Sequence, residues 1–135
     1  MLCLNDKVLA LRNATGAVIH VAQGSTFTLL DCGAGKITHS GSAGGQGVLA
    51  DGTFYMYGVT IRNCEGVKSG GENAGGVEVT STGSFHMLGG MITKNSNKYQ
   101  RGDTQLVGGV YVANGGSLTL SRGAEIGHHE RRRKR

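Results

Sequence analysis

The sequence predicts an all-β chain wound as a right-handed parallel β-helix of about four turns, with three short strands per turn. Three observations carry that expectation. Glycine is abundant at 25 of 135 residues while proline and tryptophan are absent, so glycine without proline argues against a collagen-like or proline-rich chain. The glycines fall between short apolar segments that alternate with period two, the period of a strand and not of a helix. The same glycine-bounded unit then recurs along most of the chain.

The copies justify the elements in chain order. Residues 1–14 place Val8 and Ala10 on one face and Leu9 and Leu11 on the other, and are expected to cap the front of the stack. A loose copy, VIHVAQGSTFTLL at 18–30, closes near Ile37. Clearer copies are GVLADGTFYMYGVTIRN at 47–63, GGVEVTSTGSFHMLGGMITKN at 75–95 and GGVYVANGGSLTLSRGAEI at 108–126. Phe27, Phe54, Phe85 and Leu118 hold one frame, at spacings of 27, 31 and 33 residues. One repeat cannot bury its own apolar face, so repeats must stack and pair like strands in parallel. The alternative is an antiparallel β-sandwich, which wants two-residue hairpin turns such as Asn114-Gly115. That glycine shares its frame with Gly24, Gly52 and Gly83, which marks a repeat corner instead. The expected single domain spans 1–127. The tail 128–135 (HHERRRKR) is polar and expected to be disordered.

Aligned in this way, the inward positions are Ile19, Val21, Phe27, Leu29, Phe54, Met56, Ile61, Val77, Val79, Phe85, Met87, Ile92, Val110, Val112, Leu118, Leu120 and Ile126. Outward columns are His20, Leu49, Glu78 and Tyr111 on the first strand, and Thr28, Tyr55, His86 and Thr119 on the second. Lys36, Thr60, Met91 and Glu125 line the third. Long corners at 40–46, 65–74 and 96–107 should emerge from one edge.

The phrase Val21-Ala-Gln-Gly-Ser-Thr-Phe-Thr-Leu-Leu-Asp-Cys-Gly33, followed by repeated Gly-Gly-Val-x-Val and Gly-Ser units, resembles the pectin-lyase-like right-handed β-helix repeats of bacterial adhesin-like and autotransporter-like surface proteins. The resemblance covers roughly residues 8–127 and speaks to architecture, because the fold hosts lyases, hydrolases, adhesins and passive stalks alike. It implies an extracellular or cell-surface setting within a longer protein. No signal peptide is visible in this chain: the N-terminus lacks a basic segment followed by an apolar one.

Enzymes of that fold gather acids or bases on one sheet, and neighbouring rungs stand ~4.8 Å apart. Paired catalytic acids would therefore fall in one column of adjacent repeats, and none do. Glu78 sits between Leu49 and Tyr111, while Asp31 and Asp51 fall near corners. Ice binding would want an unbroken threonine ladder, yet Tyr55 and His86 separate Thr28 from Thr119. No catalytic residue is expected, no metal ligand set and no cofactor. Candidate binding residues are His20, Glu78 and Tyr111 in one column, Tyr55 and His86 in another, and Arg101 and Asp103. The last two flank Gly102 in a tripeptide known from integrin ligands that is also ordinary turn material. Asn63 and Asn95 should hydrogen-bond backbone at the corners.

Fourteen Lys/Arg against nine Asp/Glu give a net charge of +5. Five of the basic residues are 131–135, so the body is neutral and offers no footprint for nucleic acid. Cys3, Cys32 and Cys64 lack metal or redox spacing and read as small buried hydrophobes. No apolar run is long enough to span a membrane. The expected function is a non-catalytic β-helix module of a bacterial cell-surface or secreted protein, a stalk or an adhesive surface for glycan or protein. A polysaccharide lyase or hydrolase, or its remnant, is the alternative. A self-assembling solenoid is the second, since unpaired strand edges at the ends invite end-to-end association.

Overall fold

In the computed structural model, residues 1–31, 33–40, 44–67, 73–98, 108–127 and 130–132 are described. The chain enters on β1 (Leu2–Cys3) and β2 (Val8–Arg12). A first complete turn follows in β3 (Ile19–Val21), β4 (Thr26–Leu30) and β5 (Lys36–Ser40). The second turn is β6 (Val48–Ala50), β7 (Thr53–Met56), β8 (Thr60–Arg62) and β9 (Glu65–Gly66). The third is β10 (Val77–Val79), β11 (Ser84–Met87), β12 (Met91–Thr93) and β13 (Ser96–Lys98). The fourth is β14 (Val110–Val112), β15 (Ser117–Leu120), β16 (Glu125–Gly127) and β17 (Glu130–Arg132).

Like strands stack on like. Sheet 1 runs β3-β6-β10-β14, sheet 2 β1-β4-β7-β11-β15, sheet 3 β2-β5-β8-β12-β16, and sheet 4 β9-β13-β17. Every strand pairing among the described residues is parallel. The fold is therefore a parallel β-solenoid of about four turns, and the antiparallel sandwich is set aside. Residues 1–12 lie at the front as a partial turn of the same sheets, with Leu9 opposite Ile37 and Leu2 opposite Leu29.

Two features depart from the sequence expectation. Turns two to four carry a fourth strand where only long corners are expected. These strands are two or three residues long and polar, so they lack the apolar alternation that marks the others; backbone pairing alone defines them. The second departure is β17, which falls inside the stretch expected to be disordered. Its backbone adds to the edge of β13, with Glu130 opposite Ser96, and a ladder of main-chain hydrogen bonds needs no side-chain pattern.

The core is a set of vertical columns. Phe27, Phe54 and Phe85 stack ring on ring, with centroids 6.2 and 4.9 Å apart and planes within 19°. Beside them run Leu29–Met56–Met87 and Ile37–Ile61–Ile92, all buried. Such columns give each inner apolar side chain apolar neighbours above and below, at about 1.5–3 kcal/mol per buried side chain. At the corner before sheet 2, a Cβ on Gly83 would collide with the Ala50 carbonyl of the turn beneath. Gly52 and Gly116 are held to glycine by the same close approach to the turn beneath, whereas Gly24 and Gly115 are required by positive φ. At the corner after sheet 3, buried Asn95 does what its position suggests. Its side-chain oxygen accepts from the Cys64 amide and its side-chain nitrogen donates to the Ile61 carbonyl, both at 3.0 Å. One side chain thus ties the third turn to the second. Cys64 is buried as expected, whereas Cys3 is exposed at the thin front strand; Cys32 lies outside the described residues.

The columns do not close at the far end. Of the inward set, Leu120 and Ile126 are exposed, and Val110, Val112 and Leu118 are only partly covered.

Candidate functional site

The outer faces hold the binding candidates, and strand register decides which of them meet. His20, Leu49, Glu78 and Tyr111 stand opposite one another across sheet 1. Thr28, Tyr55, His86 and Thr119 do so across sheet 2, and Lys36, Thr60, Met91 and Glu125 across sheet 3. All three columns have the composition the sequence alignment assigns them.

What the columns offer differs from face to face. His20 Nε2 lies 2.6 Å from Asp51 Oδ2, an ion pair when the ring is protonated. The Thr80 hydroxyl and then the His20 ring hydrogen-bond the Asp51 carboxylate and hold its pKa below the ordinary value. Glu78 is only 7% exposed. Its carboxylate accepts from the Asn73 backbone amide at 2.9 Å and from the Asn73 side chain at 3.1 Å. Asn73, ahead of β10, therefore engages both Glu78 oxygens. Tyr111, next in the column, is partly exposed. At the front, the Asp31 carboxylate accepts from the backbone amides of Asp6 and Gly35, which lower its pKa, the Asp6 bond being the larger cause. Each of these acids is committed to a neighbouring segment of the stack: Glu78 to Asn73, Asp51 to His20 and Thr80, and Asp31 to Asp6 and Gly35.

Tyr55 and His86 stack on each other, with centroids 4.7 Å apart and planes 13° from parallel. Two ring faces are spent in that contact, so the pair presents edges outward rather than a broad platform. Around it the second sheet carries no Lys, Arg, Asp or Glu: its last four strands read TFTLL, TFYM, SFHM and SLTL. One more outward column crosses this face, Thr26–Thr53–Ser84–Ser117, with Ser117 Oγ 3.1 Å from Ser84 Oγ. Tyr57 stands exposed just past β7. Sheet 3 differs, with Arg12, Lys36, Arg62 and Glu125 along its strands. Arg101 and Asp103 lie outside the described residues.

Sequence reasoning placed Asp51 near a corner but missed its pairing with His20 and Thr80, and it missed Asn73 and the hydroxyl column. Asp51 sits at a corner of two residues, 51–52, where the equivalent corners 22–25, 80–83 and 113–116 have four. That corner accounts for two of the four residues by which the Phe27–Phe54 spacing falls short of the next. The hydroxyl column was signalled by the Ser/Thr that follows the corner glycine in every repeat. Asn73 had no signal, because a corner's path over a neighbouring strand leaves none in sequence period.

Among the described residues no group of three or more His, Cys, Asp or Glu is placed to hold a metal ion, and no helix is long and apolar enough to cross a membrane. Compared with known proteins, the chain matches no family model, no curated protein and no solved structure.

Proposed function

We propose that the chain is a non-catalytic β-solenoid module of a bacterial cell-surface or secreted protein, acting as a rigid spacer with sheet 2 as an adhesive face. The observation that carries this reading is the commitment of the outward acids. Glu78 accepts from Asn73, Asp51 pairs with His20 and Thr80 of the turns on either side, and Asp31 accepts from Asp6 and Gly35, so these acids hold the stack together. Five strands at ~4.8 Å give sheet 2 a flat face roughly 20 Å long. Being uncharged, and bearing hydroxyls, Tyr55, His86 and Tyr57, it suits a neutral glycan or an uncharged protein surface better than a uronate or a nucleic acid.

A neutral-glycan array and a host-matrix panel test the adhesive half: binding that is weakened by Tyr57→Ala is expected, and silence on both removes that half. Turnover of polygalacturonate in the presence of calcium, abolished by Glu78→Ala, would replace the spacer reading with a lyase.

A further inference from the structure

The neutral charge balance of the body hides a segregation by face. Sheets 1 and 2 carry no Lys or Arg on any strand, and neither do the corners that join them, where Asp51 stands; Glu78 is the acid of sheet 1. Every Lys and Arg of residues 1–127 whose side chain is described lies on sheet 3 or at its borders. Arg12, Lys36 and Arg62 alternate with inward residues on β2, β5 and β8. Lys7 and Arg122 stand in the corners leading to β2 and β16, and Lys94 follows β12.

Three acids share that side. Asp6 and Asp31 stand in the corners leading to sheet 3 and accept from the Ala34, Asp6 and Gly35 backbone amides, while Glu125 lies on the last strand. None of the six cations makes an ion pair among the described residues. Six cations against three acids leave this side net positive, so it draws an anionic partner from solution. Register fixes how the cations are spread. Lys36 shares a column with Val8, Thr60, Met91 and Glu125; Arg62 lies opposite Thr93 in the next column, and Arg12 opposite Ser40 in a third. Lys36, Arg62 and Lys94 step diagonally from the second rung to the fourth. Lys7 and Arg12 stand at opposite ends of the first rung, off that diagonal. A linear polyanion laid along the diagonal meets three cations, whereas a plane meets them all.

We propose that sheet 3 docks on the plane of an anionic lipid bilayer, with the solenoid lying on its side. This goes beyond the spacer reading and does not depend on sheet 2 binding anything. The face suits a plane in shape as well as in charge: five strands at ~4.8 Å make it roughly 20 Å long, and strands of three to five residues make it about 10–15 Å wide. Between the cations, Val8 is 57% exposed and Met91 partly so, in the same column. Those two put apolar tips at the level of the headgroups, as a peripheral membrane surface requires. Lys and Arg reach the phosphates on flexible stems, each strengthening binding about fivefold near an anionic surface.

Co-sedimentation of the full chain with vesicles of phosphatidylcholine and phosphatidylglycerol, against vesicles of phosphatidylcholine alone, tests this. Binding to the anionic vesicles is expected, weakening as salt rises from ~0.05 to ~0.5 M. Lys36→Gln with Arg62→Gln should weaken it roughly twentyfold, and so should Lys7→Gln with Arg12→Gln. The basic run 131–135 is the same in every variant, so its contribution cancels in the comparison. The Lys7 and Arg12 pair carries the test by itself if the other pair loses its β circular dichroism. No binding to anionic vesicles overturns the proposal, as does equal binding to neutral ones or binding that neither pair weakens. Loss confined to the Lys36 and Arg62 pair, or capture of soluble dextran sulfate without capture of vesicles, overturns it in favour of a linear polyanion.

Discussion

Met87 and Leu120 occupy one core column on adjacent turns, yet the first is sealed and the second is more than half exposed. Their side chains are similar in size and character, and both are inward on the same sheet. The difference lies in what stands above them. Met87 has Met56 on one side and Leu120 on the other; Leu120 has Met87 alone. Burial in this molecule is thus a property of having neighbours on both sides, as expected of a quasi-one-dimensional stack whose stability is a sum of turns and of the contacts between them. The inner turns are a core. The last turn is material for one.

The largest effect that can break this comparison is truncation within the column. Met87→Ala should cost about 3 kcal/mol, from lost transfer energy and the cavity left between Met56 and Leu120. Leu120→Ala should cost about 1 kcal/mol or less, because much of the side chain is already in water. Urea unfolding at a concentration where the chain is monomeric measures both. Equal costs would mean that burial in this column does not depend on having a turn on both sides.

A smaller effect sharpens the comparison on the outer surface of the inner turns. Asp51 links the first three turns through His20 and Thr80, and its folded pKa is lowered, first by the Thr80 hydroxyl and then by the His20 ring. Its contribution is full above the unfolded carboxylate value of about 4 and is lost as pH falls through the lower folded value. Surface exposure limits the contribution to about 1 kcal/mol or less. The stability difference between the parent chain and Asp51→Asn, followed by urea midpoints from pH 6 downward, should shrink under acid. A difference that widens under acid contradicts the assignment.

How much of this was legible in the sequence follows from which forces leave a period. The columns were readable because an inward apolar residue must recur at every second position and at the same place in each repeat; His20, Leu49, Glu78 and Tyr111 align across sheet 1 as the repeats align. The strands of sheet 4 were not readable. Glu65–Gly66 and Ser96–Lys98 carry no alternation and are held by main-chain bonds and by side chains such as Ser96, whose hydroxyl donates to the Glu65 carboxylate at 3.2 Å. The same limit explains β17, which extends a sheet edge with charged residues. On the candidate faces, the identity of each column was legible but its availability was not. That Glu78 is closed over by Asn73, and that Tyr55 spends a ring face on His86, depends on how a corner folds and which rotamers neighbours select. That a stack leaves unpaired edges at its ends was legible from the repeats, but the degree of exposure was not, since Leu120 and Ile126 have the same inward pattern as the residues they follow.

The central claim, a continuous core through the inner turns that opens at the fourth, is tested most directly by amide hydrogen exchange resolved strand by strand on the monomeric chain. Protection should be highest in β7 and β11 and should fall by roughly a hundredfold or more at β15 and β16, where opening exposes only one turn. Uniform protection across the four turns, or fastest exchange in β7 and β11, would contradict it.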